Sequence, residues 1–333
     1  MENLPLLIEY SKQELTLLNV AESAKVYASR ARSANTNRAY RSDWHDFQVW
    51  CESHCLSSLP TEPATVALYL SAKAGRLKTA TLARRLTAIG QAHLLAGMPL
   101  DMRHTVIRET WKGIRNTHGS AQRAKRPLLT EDLRLLVGLL PDTLLGIRDR
   151  ALLLLGFSGA FRRSELVGLD VEHLSFCREG LTVLLERSKT DQQGSGRQVG
   201  IPYGSNPATC PVRNLQDWLQ ASETTLGPLF RSINRHGQIQ RGRLSDRAVA
   251  LVVKRVAYEK ALAEGMETTL ADEYAAQFAG HSLRAGLATS AAMAGVAEHS
   301  IMRQTGHKKA ETLRKYIRMG TLFTENAAGK VGL

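Results

Sequence analysis

Apolar residues in the first third of the chain recur every three or four positions, which is the spacing of one face of a helix. The clearest case is the run Tyr40, Trp44, Phe47 and Cys51, which predicts a helix over about 33–55. Residues before it show no such stripe, and 1–20 is predicted to be a weakly specified arm. Three more helices are predicted, over about 62–74, from Thr79 onward, and over about 101–116. The first block is therefore predicted to be all-helical.

The pattern changes in the second block, which mixes helical and strand-like segments. Helices are predicted over about 130–139, 142–156, 211–221 and 245–263, with several more between His281 and the C-terminus. Two strand-like segments, 179–187 and 197–202, flank a Gly-containing turn at 191–196 and predict a hairpin. The predicted fold class is mainly α, with a small antiparallel β-sheet in the second domain.

A polar stretch with the sequence THGSAQRAKRP separates the two blocks at 117–127. Gly and Pro interrupt helical periodicity, and the cations Arg123, Lys125 and Arg126 suit contact with phosphate. The predicted domains are a helical domain at 1–120, a basic linker at 121–127 and a second domain at 128–333.

The net charge of +13 is the unusual feature of the composition. A basic chain of this size predicts a polyanionic partner, with nucleic acid ahead of an anionic membrane surface. No apolar run reaches about 18 residues, so no membrane span is predicted. The N-terminus lacks the basic start of a signal peptide, which predicts a cytoplasmic, nucleoid-associated location in a bacterium or phage.

The four cysteines show no disulfide framework. Cys51 and Cys55, with His54 between them, leave a metal site open as an alternative. Their spacing favours two cysteines on one helical face, one of them packed inside. No metal and no cofactor are therefore predicted.

The C-terminal region concentrates side chains that carry chemistry. His281 and Arg284 are three residues apart, which places them on one helix face, and His307 and Tyr316 follow. This set lacks the carboxylates of a magnesium nuclease and the ligand spacing of a zinc site. It contains a hydroxyl nucleophile, a cation and proton carriers, which are what covalent phosphoryl transfer requires.

Four short motifs occur in order along the second block: GAFRRSEL at 159–166, SKT at 188–190, HSLR at 281–284, and a GH pair at 306–307 followed by Tyr316. In this order they resemble the tyrosine recombinase (phage integrase) family. The runs GHSLRAG at 280–286, MAGV at 293–296 and YIR at 316–318 are similar to Cre-type recombinases. The resemblance covers the second block through its motifs, and the first block only through its helical character and basic faces.

The resemblance implies that Arg162 and Arg284 clamp the non-bridging oxygens of the scissile phosphate, a task that suits bidentate guanidiniums. Glu165, one helical turn after Arg162, is expected to orient that arginine. The alternatives are a surface arginine at 162 and a plain exposed ion pair at 165.

The proton carriers and the nucleophile follow from the same resemblance. It implies that Lys189 is the general acid for the leaving 5′-oxygen, His281 a proton acceptor, and His307 a donor to a non-bridging oxygen. Tyr316 is then the nucleophile that forms a 3′-phosphotyrosine. The alternatives are a solvated turn lysine, a core histidine at either position, and a tyrosine of an ordinary amphipathic helix.

The resemblance also implies a C-shaped clamp of two domains on double-stranded DNA with an inverted-repeat site. Four protomers would act on two sites through a Holliday junction. The apolar tail around Leu322 and Phe323 would be exchanged between protomers, or would pack in cis. The predicted DNA-binding residues are Arg38, Arg41, Lys78, Arg84, Arg85, Arg123, Lys125 and Arg126. Two other functions stay open: a monomeric type IB topoisomerase-like enzyme and a catalytically silent DNA-binding regulator.

Overall fold

A computed structural model describes residues 12–119, 124–186, 196–320 and 331 of the 333-residue chain. The chain divides into two compact units, Met1–Arg123 and Ala124–Leu333. None of the helices in the described ranges is long and apolar enough to cross a membrane.

The described part of the first unit is helical. Its helices are α1 (Lys12–Arg30), α2 (Ala34–Ser53), α3 (Pro63–Lys73), α4 (Thr79–Leu95) and α5 (Thr105–His118). Helix α2 packs against α4, and α3 packs against α5. The apolar stripes of these helices meet in one core made of Phe47, Cys51, Val66, Tyr69, Leu70, Leu82, Ile89, Ile107 and Ile114.

Helix α1 corrects the prediction of an arm over residues 1–20, which is wrong from Lys12 onward. Leu17, Val20 and Tyr27 of this helix are all exposed. A helix whose apolar side chains stay exposed has no buried stripe, so periodicity did not reveal it.

The second unit combines many helices with short strands. The helices are α6 (Thr130–Gly138), α7 (Leu144–Ser158), α8 (Arg163–Gly168), α9 (Pro211–Ser222), α10 (Asp246–Ala263), α11 (Thr268–Ala276), α12 (His281–Met293), α13 (Glu298–Thr305) and α14 (Ala310–Gly320). The strands are β1 (Leu174–Cys177), β2 (Gly180–Leu185), β3 (Arg197–Pro202), β4 (Arg231–Ile233) and β5 (Ile239–Arg243). Strands β1, β2 and β3 form an antiparallel sheet in that order, and β4 pairs with β5. The predicted fold class, mainly α with a small antiparallel sheet, is confirmed.

Helix α7 lies at the centre of the second unit because its run of apolar residues, 151–155, is buried on every side. Trp218 of α9 packs into the same core and donates its indole N–H to the Leu229 carbonyl at 2.8 Å. The sheet contributes alternate side chains, such as Val183 paired with Val199, as expected for strands with one buried face. Helix α12 packs beside α7, and α14 packs on α12. Helix α12 therefore connects this core with α14, and these two helices carry His281, Arg284 and Tyr316.

The chain that enters the second unit runs along α12. The Leu128 amide donates to the Ser282 carbonyl at 3.0 Å, and the Thr130 amide donates to the Ser290 hydroxyl at 3.2 Å. A Cβ on Gly286 would lie 1.8 Å from the Leu128 carbonyl oxygen. Glycine at 286 therefore permits a backbone approach that fixes the position of α12.

Candidate active site

Helix α12 supplies two of the predicted residues from its first turn. His281 is its first residue, and Arg284 follows one turn later with only 1% of its surface exposed. Arg284 Nη1 donates to the Ala160 carbonyl at 2.8 Å, while its Nη2 is buried without a hydrogen-bond partner among the described residues. Burial, followed by the charge of Arg162, lowers the pKa of Arg284 to about 10. An anion beside this guanidinium would relieve both costs.

Arg162 lies immediately before α8 and is held by Glu165. The Glu165 carboxylate accepts hydrogen bonds from the Arg162 backbone amide at 2.9 Å and from its Nη1 at 2.5 Å. The Glu165 side chain is 2% exposed and that of Arg162 is 17% exposed. The alternative of a plain exposed ion pair is therefore wrong, because the carboxylate is buried and fixes the guanidinium in one orientation.

Helix α14 carries Tyr316 and is anchored within the same chain. Leu313 of α14 is fully buried against Ala288 and Ala292 of α12, and Tyr316 packs at the edge of this cluster. The Tyr316 hydroxyl lies 2.7 Å from His281 Nε2. Burial raises the pKa of Tyr316 and the charge of Arg284 opposes that shift, so the hydroxyl stays protonated and hydrogen-bonded to its neighbour.

His307 lies after α13, beyond a left-handed glycine that ends this helix. Gly306 has φ of 66°, a conformation that glycine adopts without strain. The His307 ring stacks on Tyr316 with centroids 6.0 Å apart, and its Nδ1 lies 2.7 Å from the Thr305 hydroxyl. Burial is the main reason that the pKa of His307 falls to about 4, and the charges of Arg284 and Arg162 add to it.

Arg197, the first residue of β3, is a site residue that the sequence analysis missed. Its Nη1 donates to the Gln304 carbonyl at 3.1 Å, and its Nη2 is buried without a hydrogen-bond partner in the described ranges. A Cβ on Gly306 would lie 2.9 Å from the Arg197 guanidinium carbon. Burial lowers the pKa of Arg197, Glu165 raises it and Arg162 lowers it. The one signal in the sequence was an arginine directly after the predicted turn.

The structure brings six of the seven predicted catalytic residues together: Arg162, Glu165, His281, Arg284, His307 and Tyr316. The seventh, Lys189, lies outside the described residues. The individual catalytic roles stay predictions.

Two of the predicted DNA-binding residues have partners inside the first unit. Arg84 donates to both carboxylate oxygens of the buried Asp43, at 2.6 and 3.1 Å. Arg85, whose side chain is 13% exposed, donates to Asp46 and to the Tyr69 hydroxyl. These ion pairs explain both arginines as parts of the helical packing, and their contact with DNA stays a prediction.

The remaining predicted DNA contacts are all exposed where the structure describes them. They are Arg38, Arg41, Lys78, Lys125 and Arg126, and Arg123 lies outside the described residues. Lys125 donates to the Ala276 carbonyl at 2.5 Å, and the Arg126 guanidinium lies over the rings of Tyr274 and Phe278. Both linker cations thus have partners at the end of α11, and phosphate contact by them stays a prediction.

The cysteine alternative can be compared with the geometry. Cys51 is buried in the first core, whereas Cys55 lies beyond the end of α2 and is exposed. Across 12–119, 124–186 and 196–320, no three His, Cys, Asp or Glu side chains are grouped so that they could hold a metal ion.

Together these side chains provide a phenol in contact with a histidine, beside the buried guanidiniums of Arg284 and Arg197, each with one Nη2 that has no hydrogen-bond partner among the described residues. A phosphate among them would be gripped by cations while the phenol oxygen attacks phosphorus. The arrangement is the one expected of a phosphoryl-transfer site with a tyrosine nucleophile.

Comparison with known proteins agrees with this class. The model of the phage integrase family matches residues 127–321. An integrase/recombinase XerD homolog of Selenomonas ruminantium is 40% identical over 314 residues, covering 92% of this chain and 88% of that protein. The Cre recombinase of Escherichia phage P1 is 25% identical over 304 residues, covering 87% of this chain and 85% of that protein. A crystal structure of the XerH site-specific recombinase, in a post-cleavage complex with a palindromic difH substrate, aligns with a TM-score of 0.56. That alignment has 19% identity and covers 81% of this chain and 72% of the other.

The chain therefore belongs to the phage integrase family, the tyrosine recombinases. Enzymes of this family cleave and rejoin DNA, and the resemblance that the motifs indicated is confirmed.

Proposed function

We propose that this protein recombines DNA at specific inverted-repeat sites through a 3′-phosphotyrosine intermediate and a Holliday junction, as a tetramer on two sites. The observation that carries the proposal is the contact of the Tyr316 hydroxyl with His281 Nε2, at 2.7 Å, in a site that also holds Arg162 and Arg284. A DNA-binding regulator has no need of a nucleophile paired with a base, so this contact favours an enzyme.

The first step transfers the phosphodiester from DNA to the protein. The Tyr316 oxygen bonds to phosphorus, its proton passes to His281 Nε2, and the bond from phosphorus to the 5′-oxygen breaks. Lys189 gives a proton to that 5′-oxygen. Arg162 and Arg284 hold the non-bridging oxygens, on which charge develops. The phosphotyrosine retains the energy of the diester, so a 5′-hydroxyl from another strand can reverse the step.

Tyr316 acts within its own protomer. Its helix is fixed to α12 of the same chain through Leu313, and a Cβ on Gly320 would lie 2.8 Å from the Thr289 carbonyl oxygen. Glycine at 320 therefore lets the end of α14 approach the α12 backbone closely. This packing supports cleavage in cis by each subunit.

Assembly depends in our proposal on the tail that follows Gly320. The tail leaves from a helix that ends on α12, which carries His281 and Arg284. Exchange of this tail between protomers would therefore connect one active site with the next. The exposed cations of the first unit, Arg38, Arg41 and Lys78, would contribute phosphate contacts along the duplex.

A covalent trap tests the chemistry. Inverted repeats from the DNA that flanks the coding gene are made into duplexes with a nick near the expected cleavage position. After attack, the short fragment that bears the released 5′-hydroxyl then dissociates. The wild-type protein is expected to form an adduct that resists denaturant, and Tyr316→Phe none. Tyr258→Phe, which changes another half-buried tyrosine of the same unit, should form the adduct normally. Equal adduct from Tyr316→Phe contradicts the proposal.

A second assay separates recombination from simple relaxation of DNA. A supercoiled plasmid with two copies of the trapped site should give deletion or inversion products, and a plasmid with none should keep its supercoils. Relaxation of the plasmid without sites, with no exchange between sites, identifies a topoisomerase-like enzyme instead.

A further inference from the structure

The hydroxyl of Thr305 lies between a helix carbonyl and the ring of His307. Thr305 ends α13 and is fully buried, with Oγ1 2.7 Å from the Ile301 carbonyl oxygen and 2.7 Å from His307 Nδ1. The Met302 carbonyl is a second, longer acceptor at 3.4 Å. The Thr305 hydroxyl has one proton and two neighbours at hydrogen-bond distance. The Ile301 carbonyl can only accept, whereas His307 Nδ1 can accept or donate.

The buried setting decides where the proton lies. If Oγ1 donated to His307 Nδ1, two oxygen lone pairs would face each other at 2.7 Å around a fully buried hydroxyl. If Oγ1 donates to the Ile301 carbonyl, the usual bond of a helical threonine to the residue four before it, both contacts are satisfied. His307 must then carry its proton on Nδ1, and Nε2 of the neutral ring is a lone pair.

Burial keeps the His307 ring neutral before DNA binds, and the cations around the ring add to that effect. These cations come from the neighbouring elements: Arg284 and, when protonated, His281 of α12, Arg162 before α8, and Arg197 of β3. The uncharged phenol of Tyr316 on α14 stacks on the ring. Together, burial and the cations lower the pKa of His307 to about 4. A phosphate among the same guanidiniums adds the opposite charge and favours the imidazolium.

We propose that Thr305 is a positioning residue that holds His307 as the Nδ1–H tautomer, so that His307 donates from Nε2 to a bound phosphate only as an imidazolium. The inference rests on the proposed function in one respect, that His307 meets the scissile phosphate. Binding of DNA at this site then takes up a proton. A valine at 305 would free the ring to present a neutral Nε2–H.

The direct test is the tautomer of His307 in the full-length, DNA-free protein. Long-range proton–nitrogen NMR spectra of histidine-labelled protein at neutral pH distinguish the two tautomers, and His307→Asn assigns the signal. We expect Nδ1–H in the wild type and in Thr305→Ser, and Nε2–H in Thr305→Val. An Nε2–H ring in the wild type overturns the proposal without any measurement of activity.

The second test is the pH dependence of adduct formation on the nicked inverted-repeat duplex. Above the pKa of the bound imidazolium, its protonated fraction falls about tenfold per pH unit. The rate of adduct formation by Thr305→Val, divided by the wild-type rate, should therefore rise by up to about tenfold per pH unit. The same ratio for Thr305→Ser should not change with pH. If Thr305→Val forms the adduct and its rate ratio does not change with pH, the inference about Thr305 is contradicted and the proposed function is not. Absence of adduct from the wild type on every duplex contradicts the proposed function, and the tautomer remains tested by NMR.

Discussion

Removal of the negative charge of Glu165 should destabilise the DNA-free protein more than the protein bound to DNA. The Glu165 carboxylate, 2% exposed, accepts two hydrogen bonds from Arg162, and its charge also acts on Arg197 and Arg284. Glu165→Gln keeps the shape and one acceptor oxygen. The glutamine NH2 group then faces the second N–H donor of Arg162. The three arginines, Arg162, Arg197 and Arg284, also lose the negative charge that balanced them.

The expected size follows from the two lost or weakened bonds. A hydrogen bond to a charged group contributes about 1.5–3 kcal/mol and a neutral one about 0.5–1.5 kcal/mol. One bond lost and one made neutral amount to roughly 2.5–4.5 kcal/mol, since a buried charge pair is broken rather than replaced. In a unit of this size that loss lowers the melting temperature by roughly 5–18 °C.

Calorimetry of the full chain measures this loss against a matched surface variant. Glu259→Gln removes the charge that pairs with Arg255 at 3.5 Å, where the two side chains are 42% and 38% exposed. Such a pair contributes about 0–1 kcal/mol, so this control should melt close to the wild type.

When both proteins are saturated with the inverted-repeat duplex, the difference in melting temperature between Glu165→Gln and the wild type should become smaller. The reason is that a phosphate then supplies the missing negative charge. The rate of adduct formation should still fall, since Arg162 is no longer fixed. The reasoning is refuted if Glu165→Gln is no less stable than Glu259→Gln, or if its loss of stability is the same with and without DNA.

Three further outcomes are expected. Arg197→Met should lower the rate of adduct formation by about 10- to 100-fold, because the end of α13 loses a buried donor. The affinity for DNA, measured by gel shift, should be nearly unchanged. An unchanged rate of adduct formation contradicts the assignment of Arg197 to the site. Because the folded pKa of His307 is about 4 and its unfolded value is 6.5, the unfolded chain binds the proton more readily. Stability should therefore fall as pH drops from about 6.5 toward 4, and His307→Asn should flatten this part of a denaturation series. A chain that ends at Gly320 should bind one half-site but lose cooperative binding to two, and retained cooperativity in a titrated gel shift argues against tail exchange.

The sequence predicted those helices that bury a continuous apolar stripe or run. Helices α2 and α10 begin within a residue or two of the predicted positions. Helix α1 was missed because the apolar side chains described for it, such as Leu17 and Tyr27, are exposed. The strands β1 and β4 were missed because three or four residues are too few to show alternation. The pattern of apolar residues therefore predicts which faces are buried, and it predicts a helix only where one face of that helix is buried.

For the site, the motifs predicted which side chains meet but not the contacts that set their protonation. His281 and Tyr316 were recognised as motif residues, and their hydroxyl-to-nitrogen contact joins them across 35 positions. Arg197 belongs to no motif, because its partner is a carbonyl at the end of α13, 107 residues away. Thr305 was equally invisible, since its effect depends on a hydrogen-bond direction that exists only in the folded helix.

The site has more positive than negative charge, and a bound phosphodiester would balance it. In the described ranges, three guanidiniums, of Arg162, Arg197 and Arg284, face a single buried carboxylate, and the pKa values of two of them are lowered. Burial also raises the pKa of Tyr316, so without substrate the nucleophile remains a neutral phenol. A phosphodiester adds the charge that the guanidiniums lack and at the same time brings phosphorus to the phenol. Because the substrate itself supplies the missing negative charge, the charge balance of the site is complete only when a strand is bound.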